Sequence, residues 1–124
     1  METEVTTISI NGVEYVPKNG IQQEQAEKLD GMKYVIVRSY SAGVFAGYLE
    51  KRSGREVTLR KARRLWYWDG AASLSQLAME GVNKPENCKF PCEVDKIEIL
   101  ESTEISDVTK KAEKSIKGVK IWKK

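Results

Sequence analysis

The 124-residue sequence contains no histidine, and this absence removes several kinds of active site. Histidine is the commonest general base in enzymes and the usual nitrogen ligand of zinc. Cys88 and Cys92 form a single C-x-x-x-C pair without the two further ligands that a structural zinc site needs. We therefore expect no bound metal and no cofactor, and we interpret both cysteines as ordinary thiols in a loop.

Long apolar runs are absent too. No run approaches the roughly 20 residues that are needed to cross a bilayer. Residues 1–4 are acidic and polar, a composition that does not predict a secretory signal. With 40% hydrophobic residues, the chain is expected to build one modest core and to be a cytoplasmic protein.

Familiar arrangements of catalytic groups are also missing. The acidic residues that could pair as acid and base, such as Asp69 and Asp95, are scattered without a local motif. The glycines follow neither the G-x-G-x-x-G pattern nor a Walker sequence. We therefore expect the protein to bind a ligand without catalysing a reaction.

The formal net charge is +3, and the charged residues are unevenly distributed along the chain. Residues 51–64 are strongly basic, and residues 110–124 are rich in lysine. Such asymmetry indicates a polyanionic ligand or partner, although charge runs also form solvated faces. The net charge is too small to establish a nucleic-acid partner, so both interpretations stay open.

The N-terminal residues predict a separate appendage. Two alternating apolar runs flank Asn11-Gly12, the signal of a β-hairpin with a type I′ turn. Residues 21–29 predict a short polar helix, and Asp30-Gly31 marks a boundary. We interpret residues 1–31 as a hairpin and helix that can serve in assembling a homo-oligomer, and residues 32–124 as the main ligand-binding domain.

The main body predicts an α+β fold around a twisted, partly closed antiparallel β-meander. The β-branched and aromatic composition predicts strands over residues 34–40, 44–51, 56–68 and 93–100. The apolar pattern of the third strand changes phase near Arg60-Lys61, which predicts a β-bulge there.

Two helices are expected to complete this body. Ser73 followed by Gln76 matches a capping box, and Gly81 supplies the stop of a short helix. Apolar residues at near-helical spacing over residues 105–119 predict an amphipathic closing helix.

The segment 62–70 carries the strongest functional signal. Arg63 and Arg64 supply guanidinium forks suited to phosphate, and large aromatic rings follow directly. If the segment is a strand, Tyr67 enters the core while Trp66 and Trp68 share the other face with Arg64. That face is a candidate ligand surface, or else the two tryptophans seal the sheet against a helix or subunit.

Two further places could contribute to a site. The turn at residues 40–47 is rich in small residues, so backbone amides near Gly43 and the Ser41 hydroxyl could approach a ligand, unless it is an ordinary hairpin turn. Ser73 stands at a helix N-terminus, where amides attract anions, although capping alone explains Ser73 and Gln76.

Four stretches resemble a family of small tailed-phage proteins. They are residues 37–47, 62–68, 71–78 and 85–89, within a block that runs from Lys33 to Trp122. The block resembles the phage anti-CBASS and anti-Thoeris sponges, oligomeric proteins that bind an immune nucleotide signal and withhold it from the host effector. The resemblance implies sequestration of a cyclic dinucleotide or related signal in the host cytoplasm, without cleavage.

Under that resemblance, chemistry assigns roles to individual residues. Arg63 and Arg64 would contact phosphates, while bases would stack on an aromatic set: Trp66, Trp68, Tyr40 or Phe45. Ser41, Gly43, Ser73 and Gln76 would complete the pocket. The alternatives are a small basic protein that binds single-stranded nucleic acid, or a structural protein whose aromatic residues lie at a subunit interface.

Overall fold

The computed structural model describes the backbone of residues 8–10 and 13–15, and the whole of residues 24–124. In the N-terminal part, β1 (Ile8–Ile10) pairs antiparallel with β2 (Val13–Tyr15). The predicted hairpin is therefore confirmed. Its Asn11-Gly12 turn and the first residues of the predicted helix, 21–23, lie outside the described residues.

The predicted helix over residues 21–29 is wrong for the part that the structure describes. Gln25 forms a β-bridge with Thr109, and the Ala26 N–H donates to the Val108 carbonyl at 2.9 Å. A polar helix of this length has little stability by itself, so pairing with the main body prevails. Asp30-Gly31, with φ angles of 51° and 81°, then forms a tight two-residue turn, as D-G pairs do in hairpins.

Five antiparallel strands make the main sheet, in the order β6-β5-β4-β3-β7. Their bounds are β3 (Tyr34–Ser39), β4 (Gly43–Ser53), β5 (Glu56–Arg64), β6 (Glu93–Ile99) and β7 (Glu104–Asp107). With two helices beside this sheet, the predicted α+β class is confirmed, and β7 is a strand that the sequence did not predict.

The sheet curls without closing. β6 and β7 are its two edges, yet only residues 100–103 connect them. Ile97 from one edge and Ile105 from the other pack against the same apolar cluster, which includes Val37, Phe45 and Leu59. The predicted twisted, partly closed sheet is therefore confirmed, and this cluster fills its concave face.

The other face of the sheet is covered by two helices, α1 (Leu74–Glu80) and α2 (Lys110–Gly118). Their buried residues join Ile36, Ala46 and Tyr48 in a second apolar cluster. Because both faces are covered, residues 34–37 are buried without interruption, and the alternation expected of a half-exposed strand is lost.

The predicted N-cap of α1 is confirmed, and the return bond of the capping box goes to the residue before the cap. The Ser73 hydroxyl oxygen accepts the Gln76 N–H at 3.1 Å, and the Gln76 side-chain oxygen accepts the Ala72 N–H at 2.8 Å. Gly81, at φ 80°, ends the helix where its α-carbon faces Ser115 too closely for any side chain.

The prediction of one helix over residues 105–119 is wrong in its first turn. Residues 104–107 form β7, and α2 begins at Lys110 behind the cap Thr109. The Thr109 hydroxyl accepts the Ala112 N–H at 3.1 Å and donates to the Met79 carbonyl at 2.7 Å. Pairing with β3 therefore outweighs the near-helical spacing of the apolar residues.

The predicted β-bulge in β5 is confirmed. Ala46 pairs with Arg63 and Tyr48 with Arg60, so that two residues of β5, Lys61 and Ala62, oppose Gly47 of β4. Lys61 has a φ of 48°, in the left-handed region. Since a one-residue slip exchanges the two faces of a strand, this bulge decides which face the following arginines occupy.

The predicted strand over residues 56–68 is too long, because β5 ends at Arg64. The Leu65 N–H still donates to the Val44 carbonyl at 2.8 Å, but the chain then changes partner. Tyr67 forms an antiparallel bridge with Lys89 instead. The strand alternation used to place the aromatic rings therefore does not continue past β5.

Candidate ligand-binding site

A cavity of about 580 Å³ opens beside the β3–β4 turn, opposite the connection from β6 to β7. This volume is in the range of small-molecule sites, roughly 300–1,000 Å³. We call it the Arg64 cleft, and its lining residues are Ser39, Ser41, Ala42, Phe45, Arg64 and residues 97–101.

The Arg64 side chain is held in one place across this cleft. Its guanidinium carbon lies 4.5 Å from the centroid of the Phe45 ring, and Nη1 donates to the Ala42 carbonyl at 2.9 Å. A Cβ added at Gly43 would lie 3.9 Å from the same nitrogen. Among the described residues, no carboxylate forms an ion pair with Arg64. The guanidinium is therefore positioned, charged and available to an anionic group.

The remaining polar groups of the cleft are hydroxyls and carboxylates. Ser41 donates to Glu101 at 3.2 Å, and the buried Ser39 hydroxyl oxygen accepts the Ala42 N–H at 3.2 Å. Glu98 also lines the wall. One cation and two carboxylates thus face the space, a mixed set that can accept amino N–H groups as well as bind one anionic group.

Half of the predicted site residues come together here. Ser41, Phe45 and Arg64 line the cleft, Gly43 lies beside the guanidinium, and Tyr40 is 94% exposed on the adjoining turn. Phe45 is buried beneath Arg64, so its ring supports the guanidinium and is not open to a base. Tyr40 is the exposed ring of this group.

Arg63 does not join this cleft. Its side chain enters the helix-covered face, is 6% exposed, and lies 5.4 Å from the Phe90 ring centroid. Its guanidinium donates four hydrogen bonds, to the carbonyls of Phe90, Pro91, Ile116 and Val119, at 2.7–3.0 Å. This burial lowers the pKa of the guanidinium, which still ties the end of α2 to the sheet.

The aromatic rings are placed differently from the prediction. Tyr67, expected in the core, is half exposed, whereas Trp68 packs against the helix-side apolar cluster. Trp66 is 64% exposed. Neither tryptophan lines the Arg64 cleft, because the chain has already left the sheet at these positions.

Ser73 and Gln76 are also apart from Arg64. Their mutual hydrogen bonds are those of the α1 cap. Gln76 lines a different, smaller cavity together with Glu80 and Lys111. Capping accounts for both residues, and the structure does not bring them to the predicted pocket.

A second feature escaped the sequence-based prediction: the Lys89 ammonium lies between two exposed aromatic rings. It is 5.9 Å from the Tyr67 ring centroid and 5.7 Å from that of Trp122. Backbone pairing aligns these residues, because Phe90 bridges Ile121 beside the bridge between Tyr67 and Lys89. We call Tyr67, Lys89 and Trp122 the aromatic platform. No local motif connects these three positions, which are far apart in the sequence.

Comparison with known proteins identifies a family for this fold. A family model described as a domain of unknown function, DUF6948, matches residues 32–116. The chain belongs to this family. The matched residues contain all five strands of the curled sheet and every lining residue of the Arg64 cleft. No curated protein and no solved structure matches the chain significantly.

Within the part of the chain that the structure describes, no three histidine, cysteine or acidic side chains cluster as metal ligands would. Neither of its helices has the length and apolar character that crossing a membrane requires. Cys88 is buried and Cys92 exposed, and both are free thiols.

Proposed function

We propose that the protein captures a nucleotide in the Arg64 cleft and holds it without converting it. In this proposal the ligand is a phage-infected host's immune signal, a cyclic dinucleotide or a related molecule, sequestered in the host cytoplasm. The observation that carries the proposal is the Arg64 guanidinium, which is stacked on Phe45 and has no carboxylate partner among the described residues.

The geometry supports a division of roles within the cleft. A guanidinium fork donates two parallel hydrogen bonds to phosphate oxygens, so Arg64 would bind the phosphate. Tyr40, exposed on the adjacent turn, would stack on the base. Glu98 and Glu101 would accept hydrogen bonds from base amino groups. Their negative charge favours a ligand that carries few phosphates.

Binding without turnover is proposed from the residue types. The sequence has no histidine and therefore lacks the commonest general base. The Ser39 hydroxyl accepts the Ala42 N–H of the turn and the Ser41 hydroxyl donates to the Glu101 carboxylate, so neither serine pairs with a histidine as a serine nucleophile usually does. A sponge needs affinity and slow release, which hydrogen bonds and stacking supply.

The test is a thermal-shift screen of cyclic dinucleotides, cyclic trinucleotides and cyclised ADP-ribose products, followed by calorimetric titration of each hit. We expect stoichiometric binding by the full chain. Arg64→Ala should raise Kd at least tenfold, because a charge-assisted hydrogen bond contributes about 1.5–3 kcal/mol. Ligand recovered after denaturation should be chemically intact.

The matched control is Arg55→Ala, an exposed arginine at the β4–β5 turn, which should leave Kd unchanged. Circular dichroism would verify that both variants fold. Equal affinity of the parent and Arg64→Ala for every hit would contradict the assignment of the cleft, and recovery of a hydrolysed ligand would contradict sequestration.

The aromatic platform favours a second candidate function, binding of single-stranded nucleic acid. Exposed rings with a cation between them are suited to stacked bases and a phosphate backbone. In that case a thymidine oligomer would bind with affinity that falls steeply as salt rises. Trp122→Ala would weaken oligonucleotide binding, whereas Arg64→Ala would not. These two variants therefore distinguish nucleotide capture in the Arg64 cleft from binding of single-stranded nucleic acid.

A further inference from the structure

A second cavity lies on the helix-covered face of the sheet. Its volume is about 450 Å³, and it lies between the β5 bulge and the end of α2. We call it the basic cleft, and its lining residues are Tyr34, Lys61, Arg63, Glu93, Lys117, Val119 and Ile121. None of its residues lines the Arg64 cleft.

The charges around this cavity are predominantly positive. Lys61, Arg63 and Lys117 face Glu93, the carboxylate in the lining. Arg63 is bound by neutral carbonyls alone, so its charge is buried but not neutralised by a hydrogen-bonded carboxylate. A fixed positive charge behind a cavity wall attracts anions more strongly than one in bulk water, because the protein interior screens it less.

Lys117 is fixed by its surroundings. Its ammonium donates to the Tyr48 hydroxyl at 2.6 Å and to the Glu113 carboxylate at 2.7 Å. It also lies 5.0 Å from the Tyr34 ring centroid, which forms part of the cavity wall. Lys61, Arg63 and Lys117 carry three positive charges, whereas Glu93 and Glu113 carry two negative charges. The net charge of this group of residues is therefore positive.

Lys61 is the least expected member of this set. Its φ of 48° is in the left-handed region, where a β-bulge of this kind commonly has glycine. That conformation is strained for a residue with a side chain. Glu50 and Asp95, which line a neighbouring cavity together with Lys61, both pair with Arg60, at 2.6 and 3.1 Å. The Lys61 ammonium thus has no ion-pair partner among the described residues.

We propose that the basic cleft binds a small oxyanion, a phosphate or the phosphate group of a monoester, with Lys61 as the principal contact and Lys117 and Arg63 as the supporting charges. This site is separate from the Arg64 cleft, on the opposite face of the sheet, and does not depend on the function proposed above. The strained backbone at Lys61 is then the cost of placing a lysine in the wall of the cavity.

The test uses the full chain, labelled with ¹⁵N, and amide shifts measured at constant ionic strength. Inorganic phosphate and ribose 5-phosphate are titrated in parallel with chloride. We expect saturable shifts at residues 60–63 and 117–119 with both phosphates and none with chloride. Tighter binding of ribose 5-phosphate would identify a monoester as the ligand, and equal binding would identify free phosphate.

Lys61→Gly and Lys61→Asn remove the ammonium group while fitting the left-handed backbone, so both variants should fold. Each should weaken phosphate binding at least tenfold, whereas Lys51→Ala, which removes an exposed lysine of β4, should not change it. If both Lys61 variants fold and bind phosphate within twofold of the parent, the proposal is overturned. Shifts that follow chloride equally would overturn it as well.

Discussion

Arg63 and Arg64 are neighbours in the sequence, but their side chains serve different purposes. Arg63 pairs with Ala46 on the helix-covered face, and Arg64 pairs with Phe45 on the concave face. The Arg63 guanidinium donates to four backbone carbonyls, whereas the Arg64 guanidinium keeps N–H donors for a ligand. Their identical chemistry made them equivalent candidates at the level of sequence.

Replacing Arg63 should therefore lower the free energy of unfolding. Arg63→Met would leave the Pro91 and Val119 carbonyls without a donor, whereas the Phe90 and Ile116 carbonyls keep backbone N–H donors. Each unsatisfied buried group costs about 1–3 kcal/mol, so we expect the free energy of unfolding to fall by at least about 2 kcal/mol, measured by urea denaturation.

Arg63→Lys should recover only part of this loss, because an ammonium cannot reproduce the planar fork. Arg55→Ala, at an exposed turn, should change stability by less than about 0.5 kcal/mol. A fully stable Arg63→Met protein would show that these four hydrogen bonds do not hold α2 to the sheet.

At the scale of single elements, the bulge of β5 depends on its neighbour in β4. A Cβ added at Gly47 would lie 3.0 Å from the Ala62 Cα and 3.1 Å from the Arg60 carbonyl oxygen. These are backbone atoms, which cannot move aside as a side chain can. The absence of a side chain at Gly47 thus allows β5 to place its extra residue here.

Gly47→Ala should accordingly destabilise the protein by about 1–3 kcal/mol, the usual cost of overpacking. The matched control is Gly118→Ala in α2, where an added Cβ meets no atom within 4 Å. In a helix, that exchange should be neutral or stabilising by up to about 1 kcal/mol. Thermal melts of both variants check the prediction, and an unchanged Tm for Gly47→Ala would contradict the steric argument.

At the scale of the whole molecule, one polar network joins the sheet to the closing helix. The Tyr48 hydroxyl donates to Glu113 at 3.0 Å and accepts from Lys117 at 2.6 Å, beside the buried Tyr34 ring. Burial, with the Glu113 charge, raises the pKa of Tyr34, and burial also raises the pKa of Tyr48. For Lys117, burial opposes the charged form, but the hydrogen bonds that its ammonium donates to Glu113 and Tyr48 raise its pKa overall.

These three raised pKa values give a direction to the pH dependence of stability. The folded state retains protons that the unfolded chain loses above its ordinary tyrosine and lysine pKa values, about 10. The contribution of these groups to the free energy of unfolding should therefore be fully present below about pH 10, and it should be lost as the pH rises beyond that value.

The measurement is urea unfolding between pH 8 and pH 11, with Tyr48→Phe as the comparison. Removing the Tyr48 hydroxyl should lower stability at pH 8 and make its decline above about pH 10 shallower than in the parent. An identical slope in both proteins would show that Tyr48 does not contribute to the alkaline transition.

Local signals in the sequence were sufficient for much of the fold. The strands from Tyr34 to Arg64, the capped start of α1 and the bulge near Lys61 follow from β-propensity, capping chemistry and a break in alternation. Each of these depends on residues a few positions apart. The β3–β4 turn that carries Tyr40, Ser41 and Gly43 could also be predicted from the sequence, because one hairpin contains all three residues.

Tertiary structure decided the rest, because the deciding partners are far apart in the chain. Thr109 pairs with Gln25, so residues 24–29 are extended and not helical. The acidic wall of the cleft comes from β6 and the β6–β7 connection, and Arg63 is buried because carbonyls from two distant segments, residues 90–91 and 116–119, converge on it. Local sequence signals determined four of the five strands of the main sheet, the capped start of α1 and which side chains can bind an anion. Long-range packing determined which of those side chains are free to do so.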